Sequence, residues 1–340
     1  MADIPAPLPS RQLRSFIDGY RISDAIGLVA RLDVASLLRD GPRSAESLAS
    51  ELGVQPQPLY RVLRLLAAVG VFHESAGQCF ALTEMSHLLL PDAPGSLRAW
   101  SVQTSSPYFR EAWAHLEDSV RTGENAFKLI HDGTGVWAWR AEHAEEGALF
   151  DVVMADIAAA RVASVTAGYD WGQFSTIVDV GGGDGTMLAG ILKGLPAAKG
   201  IVFDQPHVVA AAGKRFADTG VADRCQAIGG SFFESIPAGY DAYIMSHTLH
   251  DWDDSDASRI LANVREAMRA DSRLLLLERV IGPPNEDVES KLSDLNMLVL
   301  PGGLERTEDE WRALLSGAGF TVVTFHRTPS PEWVIEAMVE

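Results

Sequence analysis

Apolar residues change their spacing near the middle of this 340-residue chain, and the change divides it into halves of different texture. Up to about residue 150 the spacing is helical. In SAESLASELGVQPQPLYRVLRLLAAVGVF (44–72), two short helices flank a turn at Gly53. Leu59, Val62, Leu63, Leu66 and Val69 recur at intervals of three and four in the second of them. Short apolar runs around Gly77, in HESAGQCFALTEM (73–85), predict a hairpin. Helix, turn, helix and hairpin together outline a winged helix.

From about residue 175 the pattern is β-branched and apolar in short runs, at 176–180, 199–203, 225–228, 240–245 and 273–279. Helical patterns separate most of them, which predicts a parallel sheet with helices on both faces. Ile260, Leu261, Val264 and Met268 form one stripe in 255–270. The segment 307–320 opens with the capping-box spacing Thr307 to Glu310. Two last runs, 321–326 and 332–338, flank TPSP and predict a closing antiparallel pair, for seven strands in all. The fold class is therefore α/β. We place a helical domain at 1–150 and a sheet-bearing domain at 151–340, with 150–174 as the connecting helix.

Composition narrows the function. A formal charge of −18 argues against a nucleic-acid surface, because phosphate neutralisation needs clustered Lys and Arg. Arg61 and Arg64 alone decorate the would-be recognition helix, so a helical packing or dimerisation module fits better than a DNA-binding one. The N-terminal MADIPAPLPS lacks the basic and apolar regions of a secretory signal, and no apolar run approaches membrane-spanning length. Cys79 and Cys225 lie far apart and outside any CxxC pattern, as expected for reduced thiols in the cytoplasm.

The stretch TIVDVGGGDGTMLAGIL (176–192) runs from a strand through Gly181, Gly182, Gly183, Asp184 and Gly185 into a helix. Glycines there allow close approach to the backbone, and the helix start favours an anionic group. Asp204 ends the next strand about twenty residues on, where a ribose-binding carboxylate belongs. A dinucleotide fingerprint would need a third glycine where Thr186 stands. A tight connection without ligand is the remaining alternative.

SHTLHDWDD (246–254) supplies a candidate base in His250. Its two histidines and three aspartates also admit a metal-cluster reading, but Asp253 and Asp254 suit the cap and first turn of the following helix, and no metal is assigned. His247 is read as structural. Glu278 terminates the apolar run RLLLLER, where a buried carboxylate needs a partner. Glu305, in GGLERT, is either a site acid or a solvated loop acid paired with Arg306.

Taken in order, VDVGGGDG, FDQP, GGSFFESIPAGYDAYIMSHTLHDWDD, LLLLERVI and MLVLPGGLERTEDEWRALLSGAGF resemble the S-adenosylmethionine-dependent O-methyltransferases of plant phenolic and actinobacterial polyketide pathways. The resemblance implies a Rossmann-like class I methyltransferase domain, with a seven-stranded, mostly parallel sheet, behind an N-terminal winged-helix-like dimerisation domain. It implies S-adenosyl-L-methionine as cofactor, a homodimer, and methylation of a hydroxyl on a small aromatic secondary metabolite. It places Gly181 and Gly183 at the methionine end of the cofactor, Asp204 at the ribose, and Ser231 and Phe232 beside the adenine. Ser231 departs from the family's usual Asp, and Ser246 from the Lys of many plant members. His250 matches the catalytic histidine, with Glu278 and Glu305 orienting it. Phe150, Met154 and Met297 fall where the acceptor pocket has its walls, although each is also an ordinary core residue. Two other functions stay open: a related enzyme that binds the cofactor yet catalyses hydroxylation, decarboxylation or rearrangement, and a winged-helix regulator that senses a small molecule.

Overall fold

The computed structural model describes residues 8–340. They form two compact units that divide between Glu111 and Ala112. The division lies upstream of the 150/151 boundary read from the sequence, because the helices Leu116–Thr122 and Ala126–Ile130 pack on the helix Val288–Val299 of the sheet unit.

In the first unit the helix Ala45–Leu52 is capped by Ser44, whose Oγ accepts from Ser47 N at 3.1 Å. It ends at Gly53, whose left-handed φ of +66° lets the chain turn into the helix Pro56–Ala68. The strands β1 (Arg43–Ser44), β2 (Phe72–Ser75) and β3 (Cys79–Leu82) form a small sheet in the order β1-β3-β2. Leu48, Leu63, Leu66, Phe72 and Phe80 make its buried core. The winged-helix outline is thus present. The long helix Pro9–Arg31 leaves Leu13, Phe16, Ile17 and Tyr20 more than half exposed, at the spacing of one helix face.

The second unit is built on seven strands: β4 (Thr176–Val180), β5 (Lys199–Asp204), β6 (Cys225–Gly229), β7 (Ala242–Ser246), β8 (Arg273–Arg279), β9 (Phe320–Arg327) and β10 (Glu332–Val339). Their order is β6-β5-β4-β7-β8-β10-β9, with parallel pairing from β6 through β8 and antiparallel pairing of β10 with both its neighbours. Order reverses between β4 and β7. Crevices at such a reversal, at the carboxyl ends of the strands, are where ligands bind in open α/β sheets. Apolar side chains from both faces are buried: Ile177, Val202, Ile244 and Leu275 on one, Val178, Tyr243, Leu274 and Leu276 on the other.

Candidate active site

The glycine turn after β4 is shaped by what surrounds it. Gly181, Gly183 and Gly185 have φ of +73°, +61° and +78°, which other residues adopt only with strain. A Cβ on Gly182 would lie 2.7 Å from Asp179 Cγ and from Val202 Cγ2, and one on Gly185 would lie 2.7 Å from Phe216. A Cβ on Gly183 would meet nothing within 4 Å. Gly182 and Gly185 therefore serve packing, as does Gly181 against Thr248, and Gly183 borders open space. Gly183 N donates to Asp204 Oδ2 at 2.9 Å, and Gln205 N donates to Oδ1 at 2.6 Å, so backbone amides fix the carboxylate at the end of β5. Burial pushes the Asp204 carboxyl up from its ordinary value, against those two bonds.

Asp179 lies beneath this turn, in the middle of β4. It is fully buried, both its carboxylate oxygens lack a hydrogen-bond partner, and burial with the nearby Asp204 charge lifts it to about 7. Its signal in the sequence is an acid inside the apolar run TIVDV.

The base candidate stands at the adjacent strand end. A Cβ on Gly181 would lie 2.9 Å from the side chain of Thr248, so the glycine turn abuts the segment that leaves β7. Glu278, completely buried at the end of β8, accepts from Thr248 N at 3.1 Å and Leu249 N at 3.0 Å through Oε1. Those two bonds position the short helical turn Leu249–Asp251 that carries His250. His250 Nδ1 stands 2.9 Å from Glu305 Oε1 and 3.7 Å from Glu278 Oε2. Glu305 also accepts from Ser293 Oγ at 2.7 Å, and its own N–H donates to Asp294 Oδ1 at 3.0 Å. The structure thus brings the three predicted catalytic residues together. Glu305 is only 2% exposed, which rules out a solvated loop acid. Nor does it pair with Arg306, whose guanidinium turns instead to Asp254 Oδ1 at 2.8 Å and to the carbonyls of Leu249, Trp252 and Leu304.

Burial alone would depress His250, but Glu305, Glu278 and Asp251 outweigh it and lift the imidazolium to about 10. Burial pushes Glu278 up to about 7 and Asp251 to about 6, whereas His250 overcomes burial at Glu305 and holds it near 2. The Nδ1 contact with Glu305 leaves Nε2, with the Asp251 carboxylate 3.7 Å away, as the nitrogen that can exchange a proton with a bound molecule.

Leu304 N donates to His250 O at 2.9 Å, which stitches the loop bearing Glu305 to the histidine segment. The close approach requires Gly303, where a Cβ would fall 1.9 Å from His250 O and 2.4 Å from Asp251 C. Those are backbone atoms with no freedom to rotate away. Gly303→Ala is expected to cost about 1–3 kcal/mol as an overpacked contact, together with most of the activity. Thermal melting and a rate assay check this. Unchanged melting with full activity would show that the loop is not pinned there.

The remaining predicted residues are placed as follows. Ser246 ends β7, and its carbonyl accepts from Thr248 Oγ1 at 3.2 Å. Ser231 follows β6 and accepts from Phe233 N at 3.3 Å, a local bond. Phe232 packs on Phe233 and on Trp252, with centroids 5.1 and 5.9 Å away. Phe150 and Met154 lie one turn apart on the helix Ala144–Gly168. Phe150 meets Trp137 edge-on at 5.3 Å and lies 3.8 Å below the Arg140 guanidinium. Met297 is buried on the separate helix Val288–Val299. His247, His250 and Glu278 offer three ligand atoms within 4.8 Å of one another. A metal taking His250 Nδ1 would have to displace Glu305.

Residues 113–321 match the O-methyltransferase domain family, and residues 15–92 match the O-methyltransferase dimerisation domain. The chain belongs to the S-adenosylmethionine-dependent O-methyltransferases. This O-methyltransferase is 40% identical to the phenazine O-methyltransferase PhzM of Lysobacter antibioticus over 331 residues, 97% of this chain and 96% of that one. It is 39% identical to the mitomycin biosynthesis 6-O-methyltransferase of Streptomyces lavendulae, over 91% of this chain and 88% of that one. Its structure matches NcsB1, an O-methyltransferase from neocarzinostatin biosynthesis crystallised with S-adenosylmethionine and 2-hydroxy-5-methyl naphthoic acid. The TM-score is 0.81 at 33% identity, covering 94% of this chain and 96% of that one. S-adenosylmethionine is the cofactor of this O-methyltransferase, and its dimerisation domain supports a homodimer. Among the described residues, no helix is long and apolar enough to cross a membrane.

The residues present fit that cofactor. Asp204 retains unused lone pairs suited to vicinal hydroxyls, Gly183 borders space free of side chains, and the buried Asp179 carboxyl beneath the turn has oxygens without a hydrogen-bond partner.

Proposed function

We propose that the protein methylates a hydroxyl of an aromatic secondary metabolite, polyketide or phenolic, with His250 as general base, and that it works as a cytoplasmic homodimer. The observation that carries this reading is the His250–Glu305 contact at 2.9 Å, on a segment that abuts the glycine turn through Thr248. Gly181, Gly183, Asp204, Ser231, Phe232 and Ser246 are assigned to the cofactor, and Phe150, Met154 and Met297 to the acceptor. Bound at the turn, S-adenosylmethionine supplies an electrophilic methyl group on a sulfonium, whose positive charge disfavours the imidazolium form of His250.

Neutral His250 then accepts the hydroxyl proton at Nε2, while Glu305 at Nδ1 and Glu278 behind it stabilise the cation that results. The acceptor oxygen is left as a phenolate, in line for displacement, and alignment supplies much of the remaining acceleration. Aromatic acceptors suit a base of this kind, because a phenol with a pKa near ~10 needs only modest activation.

The test is to incubate pure protein with methyl-labelled cofactor and a panel of hydroxylated aromatics. A product that has gained the labelled methyl group on oxygen is expected. Tight cofactor binding with no transfer to any member, or a changed product beside an intact cofactor, would overturn the assignment.

A further inference from the structure

His247 is a second histidine in the same segment, three residues before the base, and the mechanism above does not use it. Its backbone adopts φ of +49°, a conformation that costs a non-glycine residue strain and persists only where the surroundings enforce it. The surroundings are specific. Its ring meets the His250 ring edge-on, with centroids 4.8 Å apart and planes at 84°. On its other side, Nε2 stands 3.5 Å from Glu332 Oε1, at the start of β10. Glu332 is 2% exposed and is shared by two guanidinium groups. Arg161 Nη1, from the helix Ala144–Gly168, lies 3.5 Å away, and Arg279 Nη2, from the end of β8, lies 3.8 Å away. Arg161 is anchored in turn, because its Nε donates to Ile157 O at 3.1 Å.

The two rings share one acid, since Glu278 offers an oxygen within 4.8 Å of a ring nitrogen of each. Glu278 from β8, Glu305 from the loop after Val299 and Asp251 from its own segment face His250. Glu332 faces His247, and Arg161 and Arg279 approach that same carboxylate. His247 is therefore a spacer between an acidic cluster that holds the base and a cation-rich cluster that ties three secondary-structure elements together. One of those elements is the helix that carries Phe150 and Met154.

We propose that His247 is a positioning residue. Clamped between Glu332 and the His250 ring, it sets the tilt of the base and couples that tilt to the acceptor-wall helix through Arg161. This inference rests on the reading of His250 as base. A ring held edge-on has one orientation in which Nε2 faces the acceptor, and loss of the clamp lets it rotate. Small misalignments of a reacting group carry large rate penalties.

The experiment compares His247→Leu, His247→Asn, Glu332→Gln and the double variant His247→Leu/Glu332→Gln in the full chain, reading kcat, acceptor KM and cofactor affinity by calorimetry. His247→Leu should lower kcat roughly 10- to 100-fold with acceptor KM and cofactor affinity little changed. His247→Asn tolerates the left-handed backbone and keeps a polar amide on the Glu332 side, although shorter than the ring, so it should recover part of the rate. The double variant should lose less than the product of the two single losses, because the His247–Glu332 contact is common to both while the Glu332 contacts to Arg161 and Arg279 are not. Unchanged kcat in His247→Leu, an equal loss in His247→Asn, or losses that multiply in the double variant would each overturn the proposal. If His247→Leu does not fold, Glu332→Gln against His247→Asn decides: a kcat loss larger in the former supports the clamp, and wild-type kcat in both refutes it. His250→Ala separates the two readings. Full activity there sinks the base assignment, whereas a severe loss beside an unimpaired His247→Leu sinks the clamp alone.

Discussion

His250→Ala is expected to lower kcat by ~10²–10⁴-fold while leaving cofactor affinity intact, the range general-base catalysis supplies. The geometry puts the loss in the chemical step, because the side-chain contacts of His250 run to Glu305, Glu278, Asp251 and the His247 ring rather than to the glycine turn. Acceptor acidity sharpens the test. For an ordinary phenol the full penalty applies, whereas for an acceptor already ionised at the assay pH there is no proton to remove and the penalty should shrink below about tenfold. The pH dependence has a definite sign. With its imidazolium lifted to about 10, free His250 carries a proton at neutral pH, so kcat/KM for a phenol should climb as pH rises from 7 toward about 10. Steady-state kinetics across that window, with acceptors of graded acidity, measure both effects. A penalty that ignores acceptor acidity, or that falls equally on cofactor binding, would make His250 structural.

Asp204→Ala should instead strike cofactor affinity, by about 100-fold. Hydrogen bonds to a charged group contribute ~1.5–3 kcal/mol, and every 1.4 kcal/mol is a factor of ten. The mutation also frees Gly183 N, which donates to this carboxylate at 2.9 Å, so the turn itself loosens. Calorimetric titration with S-adenosylmethionine reads the affinity directly, and kcat at saturating cofactor should stay within a few-fold of wild type. An affinity within twofold of wild type would mean that Asp204 does no more than tie the turn to β5.

Much of this arrangement was legible in the chain. Alternating runs gave the strand count and the closing pair, because each strand is a local pattern. The sheet order was not legible: nothing in 332–338 reveals that β10 inserts between β8 and β9, since that pairing spans over fifty residues. At the site, His250, Glu278 and Glu305 could be picked out because acids and a histidine at the ends of apolar runs demand partners. Gly303 gave no such warning, as its role depends on a backbone 53 positions earlier in the chain coming within reach. Asp253 and Asp254 looked alike from the sequence, but Asp253 caps the helix Asp254–Ala267 while Asp254 anchors the buried Arg306.

Strand β10 has a consequence for biosynthesis. It is made after every other part of the sheet, yet it fills an interior slot and brings Glu332 with it. Until the ribosome has passed residue 339, the nascent sheet carries open seams on β8 and β9, the kind of edge that invites pairing with other chains. Truncations or fusions that hinder this final insertion should yield inclusion bodies rather than a weakened enzyme.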